Sequence, residues 1–284
     1  MNRPQAKILH CLRRRECYRL EWLRRYSCPS SRASSPSSRL SLVPGTMCDN
    51  RLWQGMLPVF AQGNVLTAEV RLWEAADRSS MRELITRSIS NECGQDRNLP
   101  VDLLGFSMGG YLALDLYCRK LEHDNDKSQP TIRSIIIICS SARGLGPRER
   151  VKRKHMLDLM ARHNYAGISP SRIARFVKPG LVDDARVGGL IAAMDKDLGK
   201  EVLLAQFSST LDRENLMDRL PQIRIPVLIV GSEGDQMVDA NDLYLMHERI
   251  KGSKLVMFKD AGHMIPLEAP ERLASIVLDF INGL

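Results

Sequence analysis

The sequence predicts an α/β protein with a mostly parallel, doubly wound sheet, and three observations predict it. Short apolar runs rich in β-branched residues, at 40–43, 65–70, 101–104, 135–139, 227–230 and 255–258, alternate with helical patterns. The run Val101-Asp102-Leu103-Leu104 passes through Gly105-Phe106-Ser107-Met108-Gly109-Gly110-Tyr111 into the helical stretch starting Leu112-Ala113-Leu114. The alternation stops between Gly144 and about Leu220, where the chain shows only helical patterns, broken by Gly167, Pro170, Pro179-Gly180 and Gly188-Gly189. An all-helical cap over 144–220, inserted after the strand ending near Cys139, is therefore expected, with the core made of 40–143 and 221–284. A chain of 284 residues suits one large domain with an insertion better than two ordinary domains.

Taken in order, order is expected to begin with a strand over 40–43 that ends at Pro44-Gly45-Thr46. A strand over 65–70 follows, then a helix over 81–90 with Ser79 or Ser80 as its N-cap. The strand–turn–helix around Ser107 comes next, and His123-Asp124-Asn125-Asp126-Lys127 reads as a surface loop. Ile135-Ile136-Ile137-Ile138-Cys139 is apolar on both faces, which is the mark of a central parallel strand. Two late strands, 227–230 and 255–258, complete the sheet. The first helix of the expected cap carries Arg148, Arg150, Lys152, Arg153 and Lys154, which reads as a solvated face before it reads as a docking patch.

The formal charge of +8 belongs to the first forty residues. They hold ten of the 41 basic residues but only Glu16 and Glu21 of the 33 acidic ones, leaving 31 of each sign in the remainder. The body is neutral, so the pI carries no information about its ligand. The leader over 1–39, with Arg13-Arg14-Arg15, Arg24-Arg25 and a serine-rich run from Ser27 to Ser38, is similar to an organellar transit peptide and equally to a disordered arm. No aromatic interleaving accompanies its charge, so nucleic acid is not an expected partner. Arginines interrupt every apolar run in it, and no segment approaches a membrane-spanning length. A cytoplasmic protein is expected, or an organellar one if the leader is a transit peptide. Seven cysteines, at 11, 17, 28, 48, 93, 118 and 139, form no Cys-x-x-Cys pair, so neither a zinc site nor a disulfide framework is expected. Cys118 and Cys139 read as buried small hydrophobes.

The chemistry centres on Ser107. Gly105 and Gly109 let the chain turn sharply enough to hold a serine with its hydroxyl exposed above the sheet edge, a nucleophile elbow. A serine hydroxyl is a weak nucleophile near neutral pH and needs a base, and the base needs an orienting partner. His263, in Asp260-Ala261-Gly262-His263-Met264-Ile265-Pro266 after the last strand, is the candidate base. Asp235, in Gly231-Ser232-Glu233-Gly234-Asp235 after the strand before it, is the candidate acid, with Glu233 and Asp239 as alternatives in the same loop. In this assignment His263 takes the proton of Ser107 and Asp235 holds the imidazole in the required tautomer. His10, His123, His155, His163 and His247 sit in no comparable pattern.

From Leu40 to Leu284 the chain resembles a compact bacterial-type α/β-hydrolase of the esterase, MenH-like and BioH-like branch. The segments that carry the resemblance are Leu42-Val43-Pro44-Gly45-Thr46-Met47-Cys48-Asp49 with Arg51-Leu52-Trp53, the elbow, the acid loop, and 260–271. The resemblance implies an eight-stranded type of core shortened at its start, and an oxyanion hole built from the backbone N–H groups of Met108 and Thr46. Many relatives carry His-Gly where this chain has Pro44-Gly45, which removes a polar side chain from the site floor. Trp53 reads as a core anchor.

The implied reaction is cleavage of a carboxylic ester by a serine hydrolase through an acyl-enzyme on Ser107, with no metal or organic cofactor. An amidase or aminopeptidase, a carbon–carbon bond hydrolase or lyase, and a non-catalytic ligand receptor share the same fold. The expected partner is a small-molecule ester. The basic cap helix adds an acyl group carried on an acidic acyl carrier protein.

Overall fold

The β-branched and leucine-rich runs form strands because their side chains pack on both faces of a pleated sheet. The structure is a computed structural model that describes residues 38–90, 100–122 and 131–284. Six strands, β1 (Ser38–Val43), β2 (Val65–Glu69), β3 (Val101–Phe106), β4 (Ile132–Ile138), β5 (Val227–Ser232) and β6 (Lys254–Phe258), make one sheet in the order β2-β1-β3-β4-β5-β6. Every pairing among them is parallel. Where the resemblance implies a core of eight-stranded type shortened at its start, the described residues form six strands. The first strand begins at Ser38, two residues before the expected start, because Ser38 and Arg39 pair with Val65 and Leu66.

Strand alternation divides the core between the two faces of the sheet. Leu40, Leu42, Leu104, Phe106, Ile136, Ile138, Leu228 and Val230 face one layer, built with Trp53, Phe60 and the helix Pro270–Asn282. Leu103, Ile135, Ile137, Val227 and Ile229 face the other, built with the helices Arg78–Ser90, Met108–Glu122 and Ala240–Arg249. Helices on both faces make the sheet doubly wound. We number the helices α1 (Leu57–Gln62), α2 (Arg78–Ser90), α3 (Met108–Glu122), α4 (Pro147–Arg162), α5 (Pro170–Ile173), α6 (Gly188–Ser209), α7 (Ala240–Arg249), α8 (Ile265–Glu268) and α9 (Pro270–Asn282). Trp53 is fully buried in the first layer, and Cys118 and Cys139 are buried as expected.

One local reading is corrected. Helix α2 starts at Arg78, and its cap is Asp77 rather than Ser79 or Ser80. The Asp77 carboxylate accepts the Ser80 N–H at 2.8 Å, and the Ser80 hydroxyl turns back to Asp77, so the aspartate satisfies the free donors of the first turn. Between β4 and β5 the chain forms α4, α5, α6 and a 3₁₀ turn, Met217–Gln222, with no strand. Helix α6 bends at Gly199, whose φ of 74° no other residue type adopts easily. The leader up to residue 37 and the expected surface loop 123–127 lie outside the described residues. No described helix is long and apolar enough to cross a membrane.

The sheet order fixes where a ligand can bind. From β1 the chain moves outward to β2 and then returns to place β3 on the opposite side of β1. Loops leaving the carboxyl ends of β1 and β3 therefore diverge, and the crevice between them is the usual ligand site of an open parallel sheet. The loop starting Pro44-Gly45-Thr46 leaves β1, and Ser107 leaves β3.

Candidate active site

Ser107 occupies the turn between β3 and α3 with φ of 51°, a left-handed conformation that is costly for serine and that the surrounding chain must impose. The imposition is visible. A Cβ on Gly105 would lie 2.5 Å from the Gly109 carbonyl oxygen, and one on Gly109 would lie 2.2 Å from that of Val43. Only glycine lets β1, β3 and α3 approach this closely. The Ser107 N–H donates to Ile138 O at 2.9 Å, which fastens the turn to β4.

His263 stands between Ser107 and Asp235. Its Nε2 lies 3.0 Å from Ser107 Oγ and its Nδ1 lies 2.8 Å from Asp235 Oδ2. The side chains of His263 and Asp235 are 4% and 1% exposed, so the contact is shielded from water and from salt. The second oxygen of Asp235 accepts the N–H groups of Met237 and Val238 at 2.7 and 3.1 Å, which fixes the carboxylate plane. The two alternative acids lie elsewhere. Glu233 is exposed, and Asp239 caps α7 by accepting the Asn241 N–H at 2.9 Å. The imidazole packs against Phe106 and Phe176, with ring centroids 5.1 and 6.0 Å away.

The two residues of the implied oxyanion hole lie against the serine. Met108 opens α3, so its amide has no acceptor within the helix. Gly45 passes so near that a Cβ there would stand 3.2 Å from Ser107 Cβ, which brings the following residue, Thr46, to the same crevice. The Thr46 hydroxyl points to Met108 Sδ at 3.6 Å. Thr46, Ser107, Met108 and His263 all line one cavity of about 750 Å³, roofed by Arg153, Met156 and Met160 along one face of α4.

The family is decided by comparison with known proteins, because the model of the "Alpha/beta hydrolase family" matches residues 42–276. The chain belongs to that family. It is 29% identical over 192 residues to a pimeloyl-[acyl-carrier protein] methyl ester esterase of Neisseria meningitidis, covering 65% of this chain and 70% of that one. It is 22% identical over 200 residues to a monoacylglycerol lipase of Rattus norvegicus, covering 67% of this chain and 57% of that one. A solved esterase of Thermogutta terrifontis superposes with a TM-score of 0.73 at 21% identity, covering 88% of this chain and 91% of that one.

This α/β-hydrolase carries supporting residues that sequence reasoning missed. Glu268, in α8, accepts the N–H groups of Gly262 and Lys178, while the Phe176 carbonyl accepts those of His263 and Met264. The histidine loop is thereby sewn to the segment after α5. The Pro-Leu-Glu sequence behind His263 was visible, but a glutamate reaching back six residues to a backbone amide leaves no periodic signal. Gln206, fully buried on α6, accepts the Met47 N–H at 2.8 Å and holds the loop after β1. Nothing in a helical glutamine announces that contact.

Cys139, at the end of β4 with φ of 45°, is the third unassigned group beside the site. Its Sγ, a carboxylate oxygen of Asp235 and a ring nitrogen of His263 lie within 4.8 Å of one another, the one such set of three possible metal ligands among the described residues. Burial pushes the Cys139 thiol well above its ordinary value, and the Asp235 charge adds to it, so this sulfur is a neutral neighbour of the carboxylate. A metal held there would compete with the Asp235–His263–Ser107 chain for the same atoms.

Proposed function

We propose that this hydrolase cleaves a carboxylic ester through an acyl-enzyme formed on Ser107, with His263 as general base and acid and Asp235 as its orienting carboxylate. The single observation that carries the reading is the continuous chain from Asp235 through His263 to Ser107, 2.8 and 3.0 Å long at its two links. Asp235 accepts the Nδ1 proton, which leaves the Nε2 lone pair facing the serine hydroxyl. Ser107 Oγ attacks the carbonyl carbon as His263 takes its proton. The oxyanion that forms is received by the amides of Met108 and Thr46, donors fixed in place before the charge develops. His263 then returns the proton to the leaving alcohol, and a water activated by the same nitrogen hydrolyses the acyl-enzyme. In acylation the Oγ–C bond forms and the bond to the alcohol breaks; in deacylation the bond to water forms and the Oγ–C bond breaks, with His263 carrying the proton each time and returning it to Ser107 at the end.

A fluorophosphonate probe tests the nucleophile. The expected result is stoichiometric labelling that disappears in Ser107→Ala, whereas no labelling of the folded wild-type chain would make it a binding protein. Turnover of p-nitrophenyl esters over a range of acyl lengths tests the bond. Cleavage of an aminoacyl anilide with no cleavage of any ester would replace the esterase reading by an amidase.

The acyl group arriving on an acidic carrier protein is a second reading. It is favoured by α4, where Arg148, Lys152 and Lys154 are exposed, and by the carrier-linked ester named for the Neisseria relative. Arg153 does not join that outer surface, since it lines the cavity. Weakened turnover of a carrier-linked ester in Lys152→Glu and Lys154→Glu, with the free methyl ester unaffected, is the expected outcome.

A further inference from the structure

Two arginines of the cavity beside Ser107 have no carboxylate partner. Arg213, just beyond α6, lies over the Tyr111 ring at 5.1 Å, and its Nε is buried without a hydrogen-bond acceptor. Arg172, on α5, lies over the Phe176 ring at 5.1 Å, and Phe176 in turn packs against His263. Both guanidiniums are therefore held over aromatic rings, which accept none of their N–H groups as an ion pair would.

The carboxylates that line the same cavity are engaged elsewhere. Glu149 pairs with Arg153 at 3.3 Å, and Asp242 is bound to Arg143 and to the Ser141 hydroxyl. Asp195 accepts the Tyr165 hydroxyl at 2.6 Å and the Ile168 N–H at 2.8 Å, and Asp239 caps α7. None forms an ion pair with Arg172 or Arg213, although the Glu149 and Asp242 charges act on Arg213 from further away. Burial pushes both guanidiniums, and that of Arg153, below their ordinary values; the Arg153 charge adds to the effect at Arg213, with Glu149 and Asp242 opposing, and the Arg175 and then the Arg153 charge add to it at Arg172. Arg153 acts on each of the two from the same cavity wall, and like charges in a half-buried wall are relieved by an anion. A planar fork of donors suits a carboxylate or a phosphate.

We propose that the cavity is built for an ester whose acyl part ends in an anionic oxo-acid group, a carboxylate or a phosphate, received by Arg172 and Arg213 while the ester carbonyl lies at Ser107. The inference rests on the esterase reading of Ser107 and names its substrate class. The catalytic body is neutral overall, so the selection is made by these two side chains rather than by a general positive field.

The test compares mono-p-nitrophenyl esters of succinate, glutarate, adipate and pimelate with uncharged p-nitrophenyl esters of matching length. The expected result is a kcat/KM ratio of at least about tenfold in favour of one or more of the half-esters, the scale of a charge-assisted hydrogen bond. That ratio is expected to fall about tenfold in Arg213→Met and, independently, in Arg172→Met, so loss of folding in either one leaves the other. Arg162→Met, exposed at the end of α4 and outside the cavity, keeps it. Efficient cleavage of neutral esters with no preference for any half-ester overturns the inference and leaves the esterase reading standing. If no ester is cleaved, calorimetric binding of glutarate and of inorganic phosphate to the wild-type chain decides. Binding that weakens in Arg172→Met supports the anion site, and its relative strength for the two ligands separates carboxylate from phosphate. Absence of binding by both removes the site.

Discussion

Glu268 and Gly262 are joined through the chain's own backbone: both carboxylate oxygens of Glu268 accept the Gly262 N–H, at 3.0 and 2.9 Å, one residue before the histidine. The same carboxylate accepts Lys178 N–H at 2.9 Å, so one side chain joins the histidine loop to the segment after α5. The approach is close enough that a Cβ on Gly262 would stand 2.8 Å from the Phe176 carbonyl oxygen.

Glu268→Gln tests whether this tie positions His263. Glutamine offers one acceptor oxygen and turns an N–H₂ toward the other amide, so at least one charge-assisted bond is lost, a loss of about 1.5–3 kcal/mol. The imidazole then samples positions away from Ser107. We expect kcat on a p-nitrophenyl ester to fall about tenfold or more, since a small misplacement of the base is expensive, with KM little changed. Steady-state kinetics check it, and an unchanged kcat would reduce Glu268 to a stabilising residue.

Asp235→Asn tests the tautomer. The amide can keep accepting from Met237 and Val238, so the loop stays in place. Its N–H₂ then donates to His263 Nδ1 and forces the ring proton onto Nε2, where it faces Ser107 and cannot accept the serine's proton. The expected loss in kcat is about four orders of magnitude, with an unfolding temperature close to wild type. A loss of less than about tenfold would move the acid role away from Asp235.

Most of this architecture was written locally in the sequence. The four consecutive isoleucines 135–138 admit one reading because a strand buried on both faces is apolar at every position. Ser107 was legible because the turn must contain glycines where three backbones meet. The acid loop was harder, since Glu233, Asp235 and Asp239 differ only in direction. That direction is set by β6, whose Phe258 carbonyl accepts the Glu233 N–H and turns the next two residues toward His263. The anchors Glu268 and Gln206, and the unpaired Arg172 and Arg213, escaped because each acts across a loop or helix on a segment distant in the chain.

Glu69 sets a pH dependence of stability. It ends β2, half-buried, and burial with the nearby Asp49 charge pushes its carboxyl up from 4.5 to about 7, Arg71 opposing. A raised carboxyl binds its proton more tightly in the fold than in the unfolded chain. Stability therefore falls as pH rises from the ordinary carboxylate value to about 7, where the folded group ionises. Glu69→Gln removes that titration. The difference in unfolding temperature, variant minus wild type, should grow between about pH 4.5 and about pH 7 and then level off, and thermal melts across that range check it. A difference independent of pH would mean that Glu69 binds its proton equally in the folded and unfolded chain.

Asp102 is the remaining test, and it separates the frame from the chemistry. It lies on β3 with no exposed surface, and its carboxylate accepts the Ser134 hydroxyl at 2.7 Å and Arg133 Nε at 2.9 Å. The pairing of β3 with β4 slips here, from Val101 opposite Ile132 to Asp102 opposite Ser134, so Arg133 is the extra residue of a bulge. The aspartate pins that bulge from inside the sheet. Asp102→Ala leaves the buried Ser134 hydroxyl without its acceptor and releases Arg133, which is 27% exposed and can turn to water. The expected destabilisation is about 2–3 kcal/mol, below the about 3–5 kcal/mol of a fully enclosed pair, because only one partner is left stranded. Ser107 lies five residues further along the chain, in the turn just past β3, held by its own bonds to β4 and α3. Esterase activity per folded molecule should therefore stay near wild type while the urea midpoint drops. Loss of activity without loss of stability would tie the bulge to the elbow's geometry.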